Sequence, residues 1–448
     1  MRRGAVWILL LAGVACGPPP EPPRPALTAA PTHARYAAAI SEFGLDKTAL
    51  GQDWLRAANQ ALAAPTPAAL PFHESGYLAP ERPEAVGYAF ELRRGRRLVV
   101  DVTFEAAVRG ARLYVDLFEA REGEAPRLVG GAEPGAWSFT YEARRDGRHI
   151  LRVQPELLRG GRYTVAQRTE ASLGFPVDGR SLHAVQSGFG APRDGGRRDH
   201  HGVDIFAPRG TPVVAAVDGV VRLDSTPIGG QVIWLAEPGR RRRLYYAHLN
   251  DWAVTSGAAV TAGQVIGYVG NTGNARTTPP HLHFGVYDRG PVDPVPYLVA
   301  DDRLPEPSTL DARWLDSRGR IRVAGSRLVA SADRRAPDIA RLDAGQIVGV
   351  RAAIGSWLRV ALPDGTTGFV AARDIEPADT PIVAAALATD VAVLERPEPG
   401  APRVDTRPAT SEVEILGWSA GFALVRAPAL PTGWVPADPL DLISRSSF

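Results

Sequence analysis

A chain of 448 residues is too long for one ordinary core, so three or four units are expected. With 45% hydrophobic and 22% charged residues the units should be folded and soluble, and 40 prolines with 46 glycines favour strands, turns and linkers over long helices, giving a multidomain, mainly β protein. A net charge of +2 gives no case for nucleic acid as a partner, and a single cysteine excludes an internal disulfide and a thiolate zinc site.

Residues 1–16 read as a signal peptide. Arg2 and Arg3 form a positive start, Ala5 to Ala12 an apolar stretch too short to span a bilayer, and Gly13-Val14-Ala15 a small-residue approach to Cys16. Cys16 resembles the cysteine of a bacterial lipobox, although Gly13 stands where leucine is usual; an ordinary secretory signal cut near Ala15 or Cys16 is the alternative. The resemblance implies membrane attachment through a lipidated Cys16 and a place in the periplasm or cell envelope. Gly17 in place of aspartate points to the outer membrane where the cell has one. Residues 17–33 have the proline-rich composition of an extended tether.

In 34–75, Tyr36, Ile40 and Phe43, then Leu50, Trp54 and Ala58, recur at helical spacing and predict two short helices packed on the next unit. From 76 to 177 the period becomes two: Tyr88, Phe90, Leu92; Leu98, Val100, Val102, Phe104; Leu113, Val115, Leu117. Strands with one apolar face predict a β-sandwich accessory domain. Arginine clusters at Arg93 to Arg97 and Arg240 to Arg243 would meet an acidic polymer or edge a strand in solvent.

Five of the nine histidines lie between His200 and His283. His281-Leu282-His283 reads as strand, and alternation puts both imidazoles on one face. Asp204 follows His200 by four residues, and His248 sits in Tyr246-Ala247-His248-Leu249. Tyr246 shares a strand face with His248, to line a cleft or to fill the core. Asn271, Thr272 and Gly273 predict a tight turn beside it, and Val213 to Val217 and Val265 to Val269 read as buried strands.

In order along 178–300 stand Ser187-Gly188-Phe189-Gly190, His200-His201-Gly202-Val203-Asp204, Tyr245-Tyr246-Ala247-His248-Leu249, Gly270-Asn271-Thr272-Gly273 and Pro280-His281-Leu282-His283-Phe284. This succession is similar to the M23 (lysostaphin and LytM-like) family of zinc peptidases. The resemblance implies an antiparallel β core, with His200, Asp204 and His283 as ligands of Zn2+ and His248 and His281 as catalytic proton-handling groups. His201 is then a neighbour without a ligand role. Two imidazoles and one carboxylate leave a fourth position open, as catalytic zinc sites do. The implied function is a zinc-dependent endopeptidase hydrolysing peptide cross-links of bacterial peptidoglycan, whose stem peptides are the partner. Two other readings are a secreted peptidase cutting Gly-rich proteins, and a catalytically silent scaffold or activator of a cell-wall amidase; all five chemical positions are filled, which favours the enzyme. Arg276 to Pro280 and Gly285 depart from the common family pattern without removing a ligand.

A linker covers 301–319. Then Trp357-Leu358-Arg359-Val360 with Gly368-Phe369-Val370 recurs 65 residues later as Phe422-Ala423-Leu424-Val425 with Gly433-Trp434-Val435. The units, 320–378 and 383–444, resemble bacterial SH3-like domains, which implies either targeting to wall peptides or a structural pair on the catalytic domain. Trp357, Trp418 and Trp434 are expected in their cores.

Overall fold

Two threonines open the N-terminal helices. In the computed structural model, which describes residues 32–442 apart from 134, 300, 302, 309, 428–430 and 439, Thr32 Oγ1 accepts from Arg35 N and caps His33–Glu42. Thr48 Oγ1 accepts from Gly51 N and caps Ala49–Ala63. The expected signal peptide with Cys16, and the tether as far as residue 31, lie outside the described residues. Ile40 and Trp54 are buried against Tyr114 of the following unit, and Trp54 Nε1 donates to Pro155 O at 2.8 Å. Phe43 and Leu50 do not join them, being 77% and 38% exposed. Phe43 is the C-cap, where the chain turns away at Gly44, and Leu50 lies in the first turn of its helix.

The period-two segments form the two layers of a sandwich. One orders Thr66–Pro67, Val86–Leu92, Gly147–Pro155, Leu113–Ala120 and Arg127–Gly131; the other runs Phe72–Leu78, Gly161–Ala171, Arg96–Ala106 and Phe139–Glu142. All ten of the alternating apolar residues named above are buried in the core between them. Phe72–Leu78 does not end its sheet. Its outer edge pairs antiparallel with Ile347–Ile354, Ser75 opposite Ala353, so the sandwich sheet continues into the first C-terminal unit. Glu74, fully buried at that seam, accepts from Tyr88 Oη and Tyr163 Oη at 2.6 Å each and from Arg359 at 3.0 Å. Burial first, and the Glu74 carboxylate next, push both phenols well above the ordinary tyrosine range, so they stay neutral donors.

Arg94, Arg96, Arg240 and Arg242 act as internal cement, while Arg93, Arg241 and Arg243 lie exposed, as expected of a solvated edge. Arg94 pairs with Asp288 at 2.9 Å and donates to Tyr297 Oη, and Arg96 donates to Thr169 Oγ1 and to Val299 O. Arg240 and Arg242 both pair with Glu142 and Glu237. The contacts with Asp288, Tyr297, Val299 and Glu142 join the sandwich to 178–300, because each guanidinium offers several planar donors that separate elements can share.

That third unit is an antiparallel sheet in the order Val185–Ser187, Val203–Phe206, His281–Tyr287, Arg243–Trp252, Gly230–Ala236, Gly219–Thr226 and Ala259–Val260, with Pro212–Val214 paired to Val265–Val269 beside it. Val203, Ile205, Leu282, Phe284 and Val286 fill its core with no solvent exposure.

The C-terminal units repeat one topology. The first comprises Arg318–Ile321, Ser326–Val329, Asp338–Leu342, Ile347–Ile354, Trp357–Ala361, Thr367–Ala371 and Ile375–Pro377. The second comprises Val383–Leu387, Val391–Leu394, Arg403–Arg407, Glu412–Ser419, Phe422–Arg426, Gly433–Pro436 and Leu440–Leu442. In both, the strands neighbour one another in the order third, second, sixth, fifth, fourth, first, seventh. Trp434 is buried, whereas Trp357 and Trp418 are half-buried. Among the described residues no helix is long and apolar enough to cross a membrane.

Candidate metal centre

Strand alternation gives this sheet a dry face and a chemical face. Val203–Phe206 and His281–Tyr287 run antiparallel with Asp204 opposite His283 and Phe206 opposite His281. Val203, Ile205, Leu282 and Phe284 point into the core, so Asp204, His281 and His283 necessarily share the other side. His200 enters from the segment just before: its N donates to Ala191 O, and its carbonyl accepts from Gly190 N. His201 is exposed and stands apart from the group.

His248 reaches the same face by a different route. Plain alternation would send it into the core with Tyr246, which is fully buried and whose hydroxyl accepts from Ala216 N at 2.9 Å. Tyr246 therefore fills the core. At His248 the backbone turns left-handed, with φ 63°, and the pairing register shifts on both sides of the strand. A non-glycine residue held there costs on the order of 1–3 kcal/mol, and such strain gathers at functional sites. The turn carries the ring to 5.0 Å from that of His281 and 6.0 Å from that of His283.

Backbone carbonyls set the tautomers, since a carbonyl accepts only from N–H. Nδ1 of His200 bonds Gly188 O at 2.8 Å, Nδ1 of His248 bonds Thr272 O at 2.9 Å, and Nδ1 of His281 bonds Pro279 O at 2.9 Å. Nε2 of each is left for chemistry. His281 is also steadied by the ring of Phe206, stacked at 5.0 Å, and its Nε2 lies 3.9 Å from Asp204 Oδ1. His283 instead turns Nδ1 inward.

Three atoms converge. His200 Nε2 lies 2.9 Å from His283 Nδ1 and 3.0 Å from Asp204 Oδ1, and His283 Nδ1 lies 3.1 Å from the same oxygen. Donor atoms around a tetrahedral zinc stand roughly 3.3 Å apart, a few tenths more than these edges. His200 Nε2 and Asp204 Oδ1 are both acceptors and only His283 Nδ1 has room for a proton, so a cation satisfies the three better than hydrogen bonding does. These are also the residues whose donor atoms group as a metal-holding set. The chemistry of the set, two imidazoles and a carboxylate with His248 and His281 alongside, fits zinc.

Electrostatics agree with the geometry. Burial raises the Asp204 carboxyl, but the hydrogen bonds and charges of His200 and His283 outweigh it and hold the carboxyl well below the usual range. Burial, reinforced by His281 and His283, lowers His248 to about 4, so this ring is neutral at neutral pH. Burial also lowers His283, against the pull of Asp204.

Several residues beyond the five chemical positions build the site. Gly202 is one: a Cβ there would lie 2.5 Å from Phe284 O and 2.8 Å from His283 Nε2, so only glycine lets the ligand ring lie over the chain. Arg193 is another, donating to Asp204 Oδ2 and to Ser187 Oγ. Thr272 contributes its carbonyl to His248, while its hydroxyl accepts from Gln231 N and donates to Leu249 O. The place of Gly202 midway between His200 and Asp204 is the one available signal.

Residues 198–294 match the model of Peptidase family M23, and the chain carries a domain of that family. It is 40% identical over 143 residues to the L-Ala-D-Glu endopeptidase of Bacillus subtilis (strain 168), a match covering 29% of this chain and 44% of that protein. It is 34% identical over 191 residues to the peptidoglycan DD-endopeptidase ShyA of Vibrio cholerae serotype O1, covering 41% of each. Among solved structures, the catalytic domain of lysostaphin from Staphylococcus simulans is 37% identical, with 25% of this chain and 88% of that one covered and a TM-score of 0.23. The chain spans less than half the length of the two curated relatives.

Proposed function

We propose that this protein is a zinc-dependent endopeptidase that hydrolyses peptide cross-links of bacterial peptidoglycan, with stem peptides as its substrate. The observation that carries the reading is the convergence of His200 Nε2, Asp204 Oδ1 and His283 Nδ1 beside two further histidines whose Nε2 atoms are left unengaged by the backbone. One curated relative is named as a peptidoglycan DD-endopeptidase and another as an L-Ala-D-Glu endopeptidase. When held by these three residues, zinc supplies Lewis acidity toward a carbonyl and lowers the pKa of water from about 15.7 toward roughly 7. His248 Nε2, unprotonated at neutral pH, accepts a proton from the attacking water and passes it on to the leaving amine, while His281, when protonated on Nε2 as well as Nδ1, steadies the developing oxyanion. Their tautomers are set in advance by Thr272 O and Pro279 O, so no reorganisation is needed at the moment of reaction.

The neighbouring parts take their place in the same reading. Cys16 lipidation would tether the enzyme in the cell envelope, and the two C-terminal repeats, as SH3-like units, would hold it on the wall. The full complement of site residues argues against the silent scaffold or amidase activator, and cleavage of Gly-rich proteins is the second substrate class to be tested. Mass spectrometry of fragments released from purified peptidoglycan by the zinc-loaded protein tests the proposal. New peptide termini, missing with His281→Ala, are expected; cross-links left uncut despite bound zinc would refute it.

A further inference from the structure

We infer that Arg193 is a positioning residue for the metal ligands: it selects which oxygen of Asp204 faces the other two. The inference rests on the zinc reading above. The last torsion of an aspartate is broad and nearly twofold, so the side chain alone does not choose between its oxygens. In the structure the choice is made. Oδ1 faces His200 Nε2 and His283 Nδ1 at 3.0 and 3.1 Å, while Oδ2 accepts from the Arg193 guanidinium at 2.5 Å. With Oδ2 taken, the carboxylate presents one oxygen and cannot swing.

The same guanidinium nitrogen donates to Ser187 Oγ at 2.7 Å. Ser187 adjoins Gly188, whose carbonyl orients His200. Arg193 itself sits on a short hairpin, Pro192–Arg193 against Arg198–Asp199, turned through Gly195 and Gly196 at φ 71° and 87°, and this hairpin delivers His200. One side chain thus fastens the segment carrying the first ligand to the carboxylate that is the second. Charge opposes this role, because a guanidinium repels a dication. Its side chain is 31% exposed, so water screens that repulsion, whereas the charge-assisted hydrogen bond to Asp204, whose side chain is only 9% exposed, is direct. Orientation should therefore outweigh repulsion.

The test is zinc affinity, by competition with a chromophoric chelator, for the full-length wild type and for Arg193→Gln, Arg193→Lys and His283→Ala. Arg193→Gln should bind zinc about 10- to 100-fold more weakly, the usual effect of losing a group that orients a ligand. Arg193→Lys, which keeps a cationic donor, should recover part of that loss, and it serves alone if the glutamine variant does not fold. Wild-type or tighter affinity in Arg193→Gln, with His283→Ala strongly weakened, would overturn the inference and leave the zinc reading standing. Unchanged affinity in His283→Ala as well would overturn the zinc reading itself. On hydrolysis, Arg193→Gln at saturating zinc should regain most of its kcat, which a misfolded site would not.

Discussion

Asp204 and His283 face each other across two adjacent antiparallel strands, with 3.1 Å between Oδ1 and Nδ1. Directly opposed residues in such a ladder hold their side chains within reach, so the sheet's hydrogen bonds maintain the spacing of a metal pair. The ligand set is as rigid as the sheet, and changes that leave the ligands untouched but disturb their packing should still empty the site.

Gly202→Ala is the sharpest such change. Its new methyl would collide with Phe284 O and the His283 ring. Stability should fall by about 1–3 kcal/mol, the usual cost of overpacking, and zinc affinity should fall with it. Urea unfolding and chelator competition measure the two; a variant that keeps wild-type affinity would show that His283 has room to move.

The seam between the sandwich and the first C-terminal unit should behave as one cooperative block. Arg359→Met would strand the Glu74 carboxylate in a site with no solvent exposure, costing roughly 3–5 kcal/mol. Adding Glu74→Gln should restore part of that loss, since the uncompensated charge is gone. Equal urea midpoints for the single and double variants would contradict this.

Docking of the N-terminal helices should be acid-sensitive. His33 stacks on Trp54 at 4.9 Å and bonds Gln154 Oε1 at 2.7 Å, and burial, aided by Arg152, lowers its pKa from 6.5 to about 4. Above pH 6.5 the ring is neutral whether docked or free. As pH falls through that value the undocked form takes up the proton first, so docking weakens until about pH 4, by roughly 3 kcal/mol in all. Hydrogen exchange of His33–Glu42 and Ala49–Ala63, corrected for intrinsic rates, should show protection falling between pH 7 and pH 4.5, and His33→Phe should abolish the change.

What was legible in the sequence was local and periodic. Alternation placed His281 and His283 on one face and marked the sandwich core residue by residue, because in a sheet covered on one side the period of two is a statement about burial. The same rule misleads at His248, where one left-handed residue reverses the direction of the side chain; a histidine's φ has no signature in the letters around it. Arg193 stayed hidden because its partner Asp204 lies across a hairpin whose closure is not periodic. Phe43 kept the helical spacing but fell at a helix end. The pairing of Ser75 with Ala353 and the ion pairs of Arg94 and Arg242 join segments more than 100 residues apart or in different units, which no local pattern encodes.

The division of labour between ligands and proton-handling groups is tested most directly by measuring bound zinc and peptidoglycan hydrolysis on the same samples of wild type, His283→Ala and His281→Ala. The wild type should hold one zinc and cleave, His283→Ala should lose both, and His281→Ala should keep the metal while its rate falls by about two to four orders of magnitude. Full zinc in His283→Ala, or undiminished cleavage in His281→Ala, would contradict the account.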